Sequence, residues 1–249
     1  MFTPDQRTRV RSDLLRYATH DQRVSGAAIT GSAAADCEDE WSDIDLAFGL
    51  ADPVDVQAVL SDWTSYMYKK HSAIHHVDVN AGLWIYRVFL LPDALQVDLA
   101  FVQATEFRPL APTFLLVSGT ANESRTFPAP TPGGIIGMGW LHALHARSCI
   151  ARMRLWQAEY MISGVRDHAL TLACIRHGLP AVHGRGIDRL PRELSKQFEA
   201  SLVRHLSTPE LCRAFEVAVD GFRTEVKAVD EKLGQRLQQT LVSLTEGLS

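Results

Sequence analysis

The chain has 249 residues, 46% of them hydrophobic and 22% charged, with a formal net charge of -4. That composition supports a sizeable core and excludes wholesale disorder, and the length suits one large domain or two modest ones. The acidic balance removes any bulk attraction for nucleic acid, and no basic stripe appears along the chain.

Thr3-Pro4-Asp5 opens a predicted helix whose Val10, Leu14, Leu15 and Tyr17 give one apolar face. "VSGAAITGS" reads as a short buried strand ending in a tight turn, and "DIDLAFGL" as a second strand. Asp52-Pro53 is expected to open a helix carrying Val56, Val59, Leu60, Trp63 and Met67 on one side. Three more strands follow, "AIHHVDVN", "LWIYRVFLL" and "LQVDLAFV", with short turns that favour antiparallel pairing.

The segment Thr126–Gly134, "TFPAPTPGG", opposes both helix and ladder and marks a domain boundary. Beyond it the apolar residues recur at helical spacing to Gly178-Leu179-Pro180, and amphipathic helices continue over 192–206 and 209–244. The expected fold class is α+β: a mixed, mostly antiparallel sheet flanked by helices over 1–125, then a helical bundle over 134–249. Four scattered cysteines without a Cys-x-x-Cys pair argue against a zinc site or a disulfide framework. No segment approaches about eighteen uninterrupted apolar residues, so a soluble cytoplasmic protein is the expectation.

The chemistry concentrates in "TGSAAADCEDEWSDIDLAF". A strand's period of two puts Asp43 and Asp45 on one face and Ile44 and Leu46 on the other. Two like charges so close are costly unless a cation sits between them, and carboxylate oxygens suit Mg²⁺ or Mn²⁺ rather than zinc. Gly31-Ser32 ends the preceding strand, where a glycine lets backbone N–H groups approach a phosphate and the serine hydroxyl adds a donor. Asp98 repeats the theme as an acid inside the apolar run "LQVDLAF", and a buried acid needs a partner. An exposed sheet face with solvated acids is the alternative at each position.

Gly31-Ser32, Asp43-Ile44-Asp45 and the later strand acid Asp98 together resemble the nucleotidyltransferase superfamily related to DNA polymerase β. More narrowly, the stretch from Gly31 to Phe48 is similar to the motif of bacterial aminoglycoside and lincosamide adenylyltransferases. The resemblance covers roughly residues 25–102; the helical half agrees in architecture only.

It implies a metal-dependent transfer of AMP from ATP to a hydroxyl of a small molecule such as an aminoglycoside or lincosamide antibiotic. Asp43, Asp45 and Asp98 would bind two Mg²⁺ ions, and Gly31, Ser32 and Ser42 would contact the nucleotide. From the helical half, Glu159 would bind or deprotonate the acceptor, or else is an ordinary ion-pairing glutamate. Arg185, in the loop "HGRGIDRLP", would reach phosphate, or else is a solvated turn residue.

Trp156 and Tyr160 read as packing residues or as an aromatic wall. Asp36, Glu38, Asp39 and Glu40 read as a solvated loop. His75-His76 and His142/His145 lack metal-site spacing. Arg176 and His183 match only poorly the Arg-x-His pattern of helical ribonuclease toxins. No nucleic-acid or membrane partner is expected, and the chain is expected to act as a monomer or homodimer. The alternative reading is an antitoxin-type nucleotidyltransferase that binds or adenylylates a partner protein.

Overall fold

The computed structural model describes residues 1–125 and 131–247. The chain divides into two compact units, Met1–Phe127 and Pro128–Ser249. Most of the Pro/Gly segment read as a boundary, residues 126–130, lies outside the described residues.

The first unit begins with α1 (Pro4–His20), where Thr3 accepts the Gln6 amide at 3.2 Å and Pro4 occupies the first turn. Six strands follow: β1 (Val24–Thr30), β2 (Ile44–Leu50), β3 (His75–Ala81), β4 (Trp84–Leu90), β5 (Gln96–Gln103) and β6 (Phe114–Gly119). A four-residue α2 (Gly31–Ala34) leaves β1, and α3 (Val56–His71) crosses between β2 and β3. The strand order is β3-β4-β5-β2-β1-β6. Only β2 and β5 pair in parallel; the other neighbours are antiparallel, so the unit is α+β.

Alternation divides the sheet cleanly. Ile44, Leu46, Phe48 and Leu50 of β2 face the same way as Val97, Leu99 and Phe101 of β5, and all are buried against α1 and α3. Trp63 is the centre of that layer, with ring centroids 4.6 Å from Phe48 and 5.4 Å from Phe101. Its indole N–H donates to Asp21 at 3.1 Å, which satisfies the ring's one polar atom. The opposite face holds a smaller cluster around Ala47, Ala100, Val102 and Phe107. A Cβ at Gly49 would fall 2.7 Å from the Phe107 ring, so the absence of a side chain there admits it.

Two expectations change here. The helix after β2 is capped by Asp55, which accepts from the Gln57 amide at 2.9 Å, so it starts at Val56 rather than at Asp52-Pro53. The strand β6, "FLLVSG", is not announced by alternation because its apolar residues follow one another without polar residues between them; it pairs with β1 with a register slip between Ala27 and Ala28.

The second unit consists of α4 (Pro132–Ala151), α5 (Leu155–Arg176), α6 (Arg192–Glu199), α7 (Thr208–Val229) and α8 (Glu231–Ser243). Pro132, Gly133 and Gly134, read as helix-opposing, form the first turn of α4 instead. A proline at the first position loses no backbone bond, because the first N–H groups of a helix have no partner within it. The long helical run divides at Arg152–Arg154, where Met153 adopts φ +58°. Small residues let α4, α5 and α7 approach closely: Ala143, Ala146, Ala158, Ala173, Ala214 and Ala218 are all buried. Arg176 grips Glu225 with two bonds of 2.9 and 3.0 Å, and Glu225 is buried. Among the described residues no helix is long and apolar enough to cross a membrane.

Candidate active site

The site lies on the sheet face away from α1 and α3, at the start of the parallel pair. Asp45 and Asp98 are direct register partners on β2 and β5. Parallel pairing therefore sets two carboxylates side by side in one row of the pleat. Asp98 Oδ1 is buried and has no hydrogen-bond partner. Burial, and then the charge of Asp43, push the Asp98 carboxyl up from 3.8 to about 6. An ionised acid held there lacks a compensating positive charge.

Asp43 stands one residue ahead of β2 and accepts the Gln96 side-chain amide at 3.0 Å. Gln96 shares its face with Asp98, two residues on, so the same alternation that puts Asp98 on this face brings Gln96 to Asp43.

Gly31 closes the row on the β1 side. Its φ is +65°, and a Cβ there would sit 2.0 Å from Asp45 Oδ2, so backbone passes directly against the carboxylate. Only glycine accepts both constraints without strain. Ser32 follows, its carbonyl accepting the Ala35 and Cys37 amides at 3.2 and 3.1 Å. Tyr86 lies diagonally from Asp98 on β4, and burial first, then Asp98, raise its phenol above the ordinary range.

The acidic loop is not simply solvated. The buried Arg7 of α1 donates to the carbonyls of Asp39 and Ser42 at 2.5 and 2.9 Å. Arg7 and Arg11 both pair with Glu38, at 3.1 and 2.5 Å. The Ser42 hydroxyl donates to Asp39 at 2.9 Å; with the Trp41 amide it holds the Asp39 carboxyl below its usual range. Ser42 thus ties the loop together one residue before Asp43. Asp36 and Glu40 are exposed or in turn geometry, with Asp36 at φ +52°. The solvated-loop reading is corrected for Glu38, whose carboxylate two arginines of α1 neutralise and anchor; Asp39 is exposed, and Arg7 reaches only its backbone carbonyl.

Do these residues suit a divalent cation? The donors are hard carboxylate oxygens, one of them is buried without a partner, and the glycine backbone at Gly31 passes directly against Asp45 with no side chain between. They fit. Among the described residues no three His, Cys, Asp or Glu side chains already converge as a ready metal cluster, and Asp43 is turned to Gln96.

In the helical unit, Glu159 of α5 accepts the Ser163 hydroxyl at 2.7 Å, and Ser163 in turn accepts from Arg166 at 2.9 Å. Arg185 is exposed on the loop between α5 and α6, beside Gly184 at φ +73°. Trp156 and Tyr160 do not pack: they are 77% and 67% exposed. Arg176 is committed to Glu225, which removes it from any pairing with His183.

No family model matches the chain, and no curated protein matches it. Solved structures similar to it include the following two. One is an aminoglycoside 6-adenyltransferase from Bacillus subtilis, 15% identical with a TM-score of 0.41, the match covering 99% of this chain and 100% of that one. The other is the polymerase core of TRAMP, an RNA surveillance complex, 13% identical with a TM-score of 0.32, covering 90% of this chain and 59% of that one.

Proposed function

We propose that this chain transfers AMP from ATP to a hydroxyl of a small molecule. The observation that carries the reading is the Asp45–Asp98 pair, register partners on parallel strands with a buried Asp98 oxygen that has no partner. A structural role would have given that oxygen a donor, since a buried carboxylate without one is expensive.

In this reading Gly31 and Ser32, directly after β1, hold the terminal phosphates. Asp43, Asp45 and Asp98 would hold two Mg²⁺ ions. When bound, these supply charge neutralisation at the α-phosphate and pyrophosphate and lower the cost of deprotonating the acceptor. Gln96 orients Asp43, and the Arg7–Glu38–Asp39–Ser42 network sets the backbone from which Asp43 projects. The acceptor oxygen forms its bond to the α-phosphorus as the bond to pyrophosphate breaks, with the two oxygens in line. Glu159 of the helical unit is the candidate to bind the acceptor or take its proton, and Arg185 the candidate to meet phosphate. The resemblance points to an aminoglycoside or lincosamide antibiotic as acceptor.

The test is incubation with ATP, Mg²⁺ and a panel of such acceptors, read by pyrophosphate release and a mass gain of one AMP. Asp45→Asn should lower transfer by roughly a thousand-fold, several kcal/mol of transition-state stabilisation, without unfolding the chain. An Asp45→Asn protein of ordinary activity would refute the assignment. Labelling of a co-expressed protein in place of any small acceptor would favour the antitoxin reading.

A further inference from the structure

Past Asp98 the carboxylate face continues into an apolar floor. Val88 of β4 is the register partner of Asp98, and Tyr86 is the partner of Ala100. On the edge strand β3, Val77 pairs with Val88 and Val79 with Tyr86. Alternation therefore places all four side chains on the face that carries Asp45 and Asp98. Val77 and Val79 are 54% and 52% exposed, a high value for two valines two residues apart on one face. The carboxylate and the guanidinium of these strands, Asp78 and Arg87, point to the other side, paired with each other at 2.6 Å. Nothing acidic on β3 or β4 faces this floor.

The order of elements says which reactant lies there. Gly31 stands on the β1 side of Asp45, and Asp98 stands on the β4 side. In an in-line displacement the leaving and attacking oxygens are on opposite sides of the phosphorus. With the terminal phosphates at Gly31-Ser32, the attacking hydroxyl comes from above β5 and β4.

We infer that Val77, Val79, Tyr86 and Val88 form the acceptor floor, and that the acceptor is an amphipathic alcohol with an apolar flank rather than a polycationic amino sugar. The inference rests on the nucleotidyl-transfer reading and narrows its substrate class. A polycation needs several carboxylates to receive its amines; on this sheet face the acids are Asp43, Asp45 and Asp98, all three taken by the proposed cation site, so the floor itself offers amines nothing. A flank that covers the exposed valines and the Tyr86 ring removes apolar surface from water on both partners.

The experiment follows AMP transfer from labelled ATP with Mg²⁺ to amphipathic alcohols led by lincomycin, against kanamycin as the polycationic probe. Wild type, Val77→Lys, Val79→Lys and Tyr86→Ala are compared, with ATP affinity measured separately by calorimetry. The lysines replace side chains already more than half exposed, so the fold is retained.

The expected result is a kcat/KM at least about tenfold higher for lincomycin, and an acceptor KM raised on the order of tenfold in the lysine variants. Their kcat and ATP affinity should stay within about twofold, the signature of lost acceptor binding alone. Preferred transfer to kanamycin, or an unchanged acceptor KM in the lysine variants, overturns the inference. So does a Val77→Lys effect confined to dissociation of a dimer, which would assign the floor to a second copy of the chain. A protein that binds ATP but modifies no amphipathic alcohol overturns the acceptor inference alone, whereas one that binds no ATP defeats the nucleotidyl-transfer reading and this inference with it.

Discussion

The two faces of the sheet are built from the same strands and spend their side chains in opposite ways. On one face Phe48, Leu99, Phe101 and Trp63 exclude water completely. On the other, one residue away along each strand, Asp45 and Asp98 share a row with Gly31 and a floor of half-exposed valines. A β-strand can do this because its period is two: every residue that serves the core leaves its neighbour free to serve something else. The carboxylate face is affordable only because the core face is so complete. A charged face and a folding face should therefore respond differently to the same kind of mutation.

The largest stability change is expected on the core side. Phe48→Ala leaves a cavity beside Trp63 and should cost about 3–5 kcal/mol by chemical denaturation. A comparable cost for Asp45→Asn would erase the distinction between the faces.

The second change has the opposite sign. A carboxyl whose folded value lies above its unfolded one keeps its proton longer in the native state. Between about pH 4 and 6 the folded chain then binds more protons than the unfolded one, and stability falls as pH rises. For Asp98 the rise from 3.8 to about 6 corresponds to roughly 3 kcal/mol. Asp98→Asn should therefore stabilise the cation-free protein by up to about 3 kcal/mol above pH 6 and by little at pH 4, while abolishing transfer. Thermal melts across that range check it, and a pH-independent difference would show that Asp98 is not held at a cost.

Third, Arg7→Met removes donors to two loop carbonyls and the partner of Glu38, at about 1–3 kcal/mol. Because that loop leads into Asp43, KM for ATP should rise as well; a change in stability alone would restrict Arg7 to packing. The smallest stability effect is expected for Gly31→Ala, about 1–2 kcal/mol for a side chain at φ +65°. Its effect on transfer should be disproportionate, because the new Cβ displaces the Asp45 carboxylate. Equal losses of stability and activity would show that Gly31 serves the turn only.

The regions also differ in how far their roles could be read from the chain. Asp45 and Asp98 were legible because alternation is local: each acid sits between apolar neighbours that must face the core. Gln96 follows from the same rule: its two-residue spacing from Asp98 carries the signal. Arg7 carried no such signal. Its contacts lie 32 and 35 residues away along the chain, and an arginine among several on α1 looks like a solvated charge. Trp156 and Tyr160 misled in the other direction, since a helical spacing shared with apolar residues does not say which side of α5 is covered.

What the sequence determined by itself was periodic: the strands, most of the helices, the face each acid occupies and the glycine turn ahead of them. These depend on contacts within a few residues, where backbone geometry leaves few choices. Only the tertiary structure decided that β2 and β5 lie side by side in parallel, that Asp45 and Asp98 meet in register, and that α1 anchors the acidic loop. Those are pairings between segments more than twenty residues apart, selected by how whole faces bury against one another, and no local pattern encodes which distant segment will be the partner.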